Sequence, residues 1–222
     1  MINHLAYLAV IGDVVDSRRF LGARRGVLQQ RFSQLVTQLN QSFSSDVAAP
    51  FVVSRGDEFQ GLLTTGRSLP DLIWHIETGF PTANVRLGIG AGTLETPLGN
   101  NVLQLDGPVL HRAREAVEAA AKDRKLGGVF LGFGEAEDQI LNGIARLLDR
   151  QRQRMSDRQR QVLQYLRTGM TQVEIARKMR RTSQAISDHA RAGGWDSYHE
   201  GEISLRVALE SFTKTSNGRR RS

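Results

Sequence analysis

Four carboxylates stand at two turn signals in the first third of the chain, and their spacing suits cation chemistry. Asp13 and Asp16 follow the apolar run Leu8-Ala9-Val10-Ile11 across Gly12. Asp57 and Glu58 lie inside Arg55-Gly56-Asp57-Glu58-Phe59-Gln60-Gly61-Leu62-Leu63. Carboxylate oxygens are the ligands that Mg2+ or Mn2+ prefers, and acids drawn together without a cation repel one another. The chain has no cysteine, so disulfides and thiolate sites are excluded and carboxylates and histidines remain as ligands. Taken singly, either aspartate reads rather as a cap or turn residue. As a pair, Asp13 and Asp57 make a candidate metal site, with Glu58 and Asp16 close enough in sequence to assist.

Two elements have to position these acids. Leu8 to Ile11 reads as a strand that ends at Gly12-Asp13. Phe51-Val52-Val53 and Leu62-Leu63-Thr64 read as the arms of a β-hairpin whose Gly56-Asp57 tip presents its acids to solvent. Placed side by side, strand and hairpin would set Asp13 and Asp57 facing each other across adjacent strands.

The rest of the first two-thirds alternates strand and helix. Leu28, Phe32, Leu35, Leu39 and Phe43 share one helical face between Gly22 and Phe43. Ser68 is placed to cap a helix through about Thr78, with Pro70 in its first turn and His75 on its polar side. Val85-Arg86-Leu87-Gly88-Ile89-Gly90-Ala91-Gly92, preceded by Pro81, Ala83 and Asn84, is a strand with glycines at alternate positions. That bare face suits close approach of a ligand or another strand, and its spacing fits neither a P-loop nor a dinucleotide fingerprint. Asp106-Gly107-Pro108 opens a helix to about Lys122, and Gly127-Gly128 turns into the strand Val129 to Phe133. The order β, α, β, β, α, β, α, β contains a ferredoxin-like βαββαβ core, so residues 1–134 are expected to be an α+β palm domain. Glu135 to Arg154 reads as a connector helix that could pair with a copy of itself, and a homodimer is expected.

The remainder has its own pattern, with three short helices expected within 155–212. Ser156-Asp157 and Thr171 are N-cap signals, Val162, Leu163 and Leu166 form an apolar face, and Thr182-Ser183 precede a third helix to Arg191. Ile203 to Phe212 adds an amphipathic helix whose Leu205, Val207 and Leu209 suit dimerisation, and 213–222 reads as a flexible basic tail. The charge is split accordingly. Of a net +7 in 222 residues, Met1 to Asp149 carries −2 and Arg150 to Ser222 carries +9. A basic field confined to one end points to phosphate backbones as partners of that end. The start lacks a basic leader, and its apolar run breaks at Gly12-Asp13, so no membrane segment and a cytoplasmic location are expected.

Ile11-Gly12-Asp13-Val14-Val15, Gly56-Asp57-Glu58-Phe59, the glycine strand and Asp106-Gly107-Pro108-Val109-Leu110-His111-Arg112-Ala113-Arg114-Glu115 follow one another in an order that resembles class III nucleotidyl cyclase and GGDEF palm domains, and more closely the SatD family. The resemblance implies that Asp13 and Asp57 bind Mg2+ or Mn2+ and that a nucleotide is a ligand. Glu58 matches an acidic position of the GGDEF hairpin. At the positions where cyclases carry an Asn and, four residues on, an Arg, this chain has His111 and Glu115. Arg112 and Arg114 stand nearby, so a shifted register would make His111, Arg112 and Arg114 the nucleotide contacts.

Met155 to Leu163 and Thr171-Gln172-Val173-Glu174-Ile175-Ala176 resemble the LuxR-type and sigma-factor-like helix-turn-helix. That likeness implies DNA contacts from Thr182, Ser183, Gln184, Ser187, Asp188 and Arg191 in the third helix, with Arg177, Lys178, Arg180 and Arg181 beside them for phosphates. The favoured expectation is a DNA-binding regulator whose palm senses a nucleotide or metal or dimerises. The alternative is a metal-dependent nucleotidyl cyclase or polymerase-like enzyme using Asp13 and Asp57. A trihelical unit used only for packing or protein contacts is a third reading.

Overall fold

The computed structural model describes residues 7–19, 22–80, 84–122 and 128–218. The positions expected to lead into the glycine strand at Pro81 and Ala83, the turn at Gly127 and the end of the basic tail at 219–222 lie outside the described residues. Among those described, the chain is a mixed α+β protein with one five-stranded sheet and eight α-helices. It divides into two compact units, Met1–Arg146 with Leu205–Ser222, and Leu147–Ser204.

In the first unit the strands are β1 (Tyr7–Val14), β2 (Val47–Arg55), β3 (Glu58–Leu63), β4 (Val85–Gly92) and β5 (Val129–Leu131), in the order β2-β3-β1-β4-β5. The first four are antiparallel neighbours, the arrangement of a split βαββαβ unit, and β5 runs parallel to β4. Side chains alternate along β1, so its two faces have different occupants. On one face α1 (Ala23–Ser42) packs Phe32 against Phe59 of β3, ring centroids 5.5 Å apart, and α2 (Leu69–Gly79) packs beside α1. Ser68 precedes α2 without capping it through its side chain; its hydroxyl is hydrogen-bonded to Asp46 instead.

The other face carries Tyr7, Ala9 and Ile11 and is covered by α3 (Pro108–Lys122) through Val109, Ala113 and Val117. Here the alternate glycines of β4 find their reason. A Cβ on Gly90 would stand 2.3 Å from the backbone nitrogen of Ala113, and one on Gly88 would stand 2.3 Å from its carbonyl oxygen. The bare face therefore admits the backbone of α3, which corrects the expectation of a ligand or a further strand at that place.

Helix α4 (Glu135–Arg154) has residues in both units. The second unit holds α5 (Asp157–Arg167), α6 (Gln172–Met179) and α7 (Ser183–Ala192), packed around Val162, Ile175, Ala176, Ile186 and Ala190. Their ends are set by local chemistry. Ser156 with Gln159 and Thr171 with Glu174 form capping boxes, and the Thr182 side chain accepts from the N–H of Ala185. The last helix, α8 (Trp195–Gly218), starts eight residues before the expected Ile203 and continues through 213–218, where a flexible tail was expected. Leu205 and Leu209 are buried in the first unit, Leu209 against Gly66, which corrects their assignment to dimerisation; Val207 is exposed.

Candidate functional site

The sheet unit gathers its acids at one end of β1, on the face covered by α3. Register places Asp13 between Arg86 of β4 and Glu58 of β3, so three charged side chains form a row across adjacent strands. Arg86 Nη1 donates to Asp13 Oδ2 at 3.2 Å. Arg114 reaches over from α3 and holds Glu58 with both guanidinium arms, Nη2 to Oε1 at 2.8 Å, and Ser54 Oγ donates to the same Oε1 at 2.7 Å. Two arginines thus face two carboxylates, a compensation that partly buried charges require.

Asp57 sits in the tight turn between β2 and β3. Its carbonyl accepts from the N–H of Val14 at 2.9 Å, stitching the turn to the end of β1, and its carboxylate accepts from the Ser17 hydroxyl. The expected facing of Asp13 and Asp57 is therefore corrected by one position: Glu58 is directly opposite Asp13, and Asp57 is next to it along the chain. Burial pushes the Asp13 carboxyl above its ordinary value; Arg86 opposes this, and the charges of Asp57 and Glu58 add to it. Asp16, in the left-handed region at φ 55°, is half-exposed and pairs with Arg19 at 3.2 Å.

Among the described residues, no group of three or more His, Cys, Asp or Glu side chains is arranged to hold a metal. Glu58 does not fit a ligand role, because both of its oxygens are committed to Arg114 and Ser54. Asp13 and Asp57 each commit Oδ2 to a hydrogen bond. The charge of Asp57 acts on Asp13, and carboxylates are the ligand type that Mg2+ takes.

The three residues expected to contact a nucleotide are dispersed in their bonding. His111 Nε2 lies 2.7 Å from Asp106 Oδ1, and that contact, with the Gly107 N–H, holds the Asp106 carboxyl below its ordinary range. Arg112 Nη1 donates to the Ala91 carbonyl at 2.7 Å and so ties α3 to β4. Arg114 is held by Glu58. His111 and Arg114 line an open groove of about 420 Å³, where Ile11, Gln60, Leu105 and Leu110 are joined by Asp106, Glu115 and Glu118. Three carboxylates against one arginine and one histidine make this groove a poor cradle for phosphate. Arg112 lines a separate hollow of about 290 Å³ with His111 and Glu115.

In the second unit, Arg180 ends α6 in the left-handed conformation at φ 53°, and Arg181 and Thr182 lead into α7. The expected contact residues Arg177, Lys178, Arg180, Arg181, Thr182, Ser183, Gln184, Asp188 and Arg191 are all exposed, and Ser187 is partly so. Helical spacing sets Gln184, Ser187, Asp188 and Arg191 away from buried Ile186. Asp188 organises that face: its Oδ1 accepts from Gln184 Nε2 at 3.1 Å and from Arg191. Lys178 lies over the ring of Tyr165, 4.6 Å from its centroid. The hydroxyl of Thr182 is taken up by the α7 cap.

Residues 7–198 match the SatD family. The chain belongs to that family. No curated protein matches it. Among solved structures, this SatD-family chain is similar to a bacterial light-regulated adenylyl cyclase at 14% identity and a TM-score of 0.42, over 58% of this chain and 76% of that one. It is also similar to the dimeric guanylyl cyclase domain of the RhoGC fusion protein from the aquatic fungus Blastocladiella emersonii, at 12% identity and a TM-score of 0.39, over 53% and 77%. A third is the guanylate cyclase domain of RhGC from Catenaria anguillulae in complex with GTP, at 13% identity and a TM-score of 0.38, over 52% and 73%.

Three residues of the SatD-family site have no role in the motif reading: Arg86, Ser17 and Ser54. Arg86 sits on a strand at the β4 position opposite Asp13, 73 residues away, so only the pairing register identifies it. Ser54 and Ser17 lie within a few residues of the two acidic motifs, and a search for hydroxyls flanking those acids would have found them.

Proposed function

We propose that this protein is a DNA-binding regulator, in which α5, α6 and α7 act as a helix-turn-helix and α7 enters the major groove. The observation that carries the reading is the outer face of α6 and α7. Four exposed cations, Arg177, Lys178, Arg180 and Arg181, flank a face that offers Gln184, Ser187 and Arg191. Cations of this kind position a protein on phosphates, while amide, hydroxyl and guanidinium groups read base edges. The net +9 of Arg150 to Ser222 supplies the field that draws such a segment to duplex DNA. In a fluorescence-anisotropy titration against mixed genomic duplexes, Arg181→Ala is expected to weaken binding and lower the log–log salt slope by about 1. A variant with the affinity and slope of the parent, or a parent that retains no duplex at low salt, would overturn the reading.

A second observation supports ligand binding by the sheet unit. Asp13 is a half-buried acid whose proton affinity is raised by burial and by Asp57 and Glu58, and a cation shared by Asp13 and Asp57 would relieve that condition. When bound, such a cation would neutralise the phosphates of a nucleotide. The ligand reading favours sensing over turnover. A carboxylate, Glu115, occupies the position at which cyclases carry their phosphate-stabilising arginine, and the guanidinium of Arg114 is engaged by Glu58.

A further inference from the structure

Helix α4 carries an apolar stripe whose ends, Ile140 and Leu147, its own fold leaves exposed, while Ile144 between them is partly buried. Ile140, Ile144 and Leu147 recur at the spacing of one helical face, and Ile140 and Leu147 are 56% and 73% exposed. Leu141 and Ala145, roughly 100° to 140° round the helix from Ile140, are buried in the first unit, so this helix has a separate inward face there. Beside the stripe, in mid-helix, stands Gly143, where an added Cβ would meet nothing within 4 Å. A glycine inside a helix costs about 0.5–1 kcal/mol relative to alanine, and the chain's own packing gives no return for it. A second helix crossing there would, because a bare Cα lets two backbones approach closely.

Charge selects the occupant and its direction. Exposed Glu135 lies in the first turn, and exposed Arg146, Arg150 and Arg154 lie in the second half. A parallel copy would align like with like. An antiparallel copy sets the acidic start of one helix beside the basic end of the other, with both stripes in contact. We infer that the chain forms a two-fold antiparallel dimer through α4, with Ile140 of each copy near Leu147 of the other and the crossing at Gly143 and Ile144. A single helix pair lies at the small end of the interface range, so association is expected at micromolar concentrations.

The test uses the full chain. Sedimentation equilibrium is expected to show a reversible monomer–dimer system, and the double variant Ile140→Asp with Leu147→Asp to raise its dissociation constant at least tenfold with an unchanged circular dichroism spectrum. Gly143→Ala separates pairing from folding, because it is expected to raise the thermal midpoint while weakening the dimer. The absence of natural cysteine allows a direct check of direction. Under mild oxidation Gly143→Cys should cross-link into dimers, whereas Ala136→Cys, about 22 Å from its copy in the antiparallel arrangement, should not. A chain that stays monomeric at hundreds of micromolar, a dimer untouched by Gly143→Ala, or cross-linking through position 136 in place of 143 would overturn the inference.

Discussion

A half-buried carboxyl beside two other acids titrates in a direction that stability measurements can read. The folded-state proton affinity of Asp13 lies above that of an ordinary aspartate, whose pKa is 3.8, with burial as the main cause. The folded chain therefore holds this proton more tightly than the unfolded chain does. The stabilisation that follows is present at low pH and is lost as pH rises through the folded-state value. Relative to Asp13→Asn, the parent is expected to gain stability as pH falls from neutral toward about 4, read as a narrowing gap between the two thermal midpoints. A cation shared with Asp57 favours the charged form. Mg2+ with a nucleoside triphosphate is thus expected to raise the parent's midpoint at neutral pH and to leave Asp57→Asn unmoved. Equal shifts in both proteins would place the ligand elsewhere. Asp13 and Glu58 were legible in the sequence as candidates, because turn residues around them mark strand ends. Their pairing with Arg86 and Arg114 was not, since those arginines come from elements distant along the chain.

Elements meet in this protein where side chains are withheld. The glycine strand β4 accepts the backbone of α3, and the cost of refilling that space should be plain. In Gly90→Ala the added carbon would stand 2.3 Å from Ala113 N and 2.4 Å from Val109 O, both backbone atoms of a packed helix. That substitution is expected to destabilise the fold by about 1–3 kcal/mol in urea denaturation, even though alanine favours strand over glycine. Parental stability would show that α3 does not sit on that strand. The sheet's outer strands are closed by a different device, one amide side chain on each. Asn40 of α1 bonds the N–H and carbonyl of Phe51 on β2 at 2.7 and 2.8 Å, and Asn142 of α4 bonds those of Phe130 on β5 at 2.9 and 2.8 Å. Each asparagine thereby occupies backbone groups that a further strand would use. The helices themselves were readable from periodicity and caps, as in the Thr171 and Glu174 box. What each helix covers was not, because an apolar face is equally apolar whichever sheet surface it meets.

At the scale of the whole molecule, the second part of the last helix belongs with the sheet unit. Residues 205–222 belong with Met1–Arg146, and in the described part Leu205 and Leu209 are buried there while Arg206 Nη2 donates to Asp71 Oδ2 at 2.9 Å. A fragment ending at 154 would lose both leucines, each contributing about 2 kcal/mol of burial. It is expected to melt well below the intact protein, and a fragment as stable as the full chain would show that the first unit does not need α8. The charge split is a whole-chain property as well, and no described helix is long and apolar enough to cross a membrane. The sequence by itself determined the alternation of strands and helices, the helix caps of the trihelical segment and the two acidic turns, since these depend on neighbours within a turn or two of the backbone. The tertiary structure alone decided that Asp13 faces Glu58, that Arg86 and Arg114 compensate them, that α3 fills the glycine face and that α8 closes on the sheet unit. Those contacts join residues tens of positions apart, such as the 56 separating Glu58 and Arg114 and the 135 separating Asp71 and Arg206, and such pairings follow from strand register and packing, which no local stretch encodes.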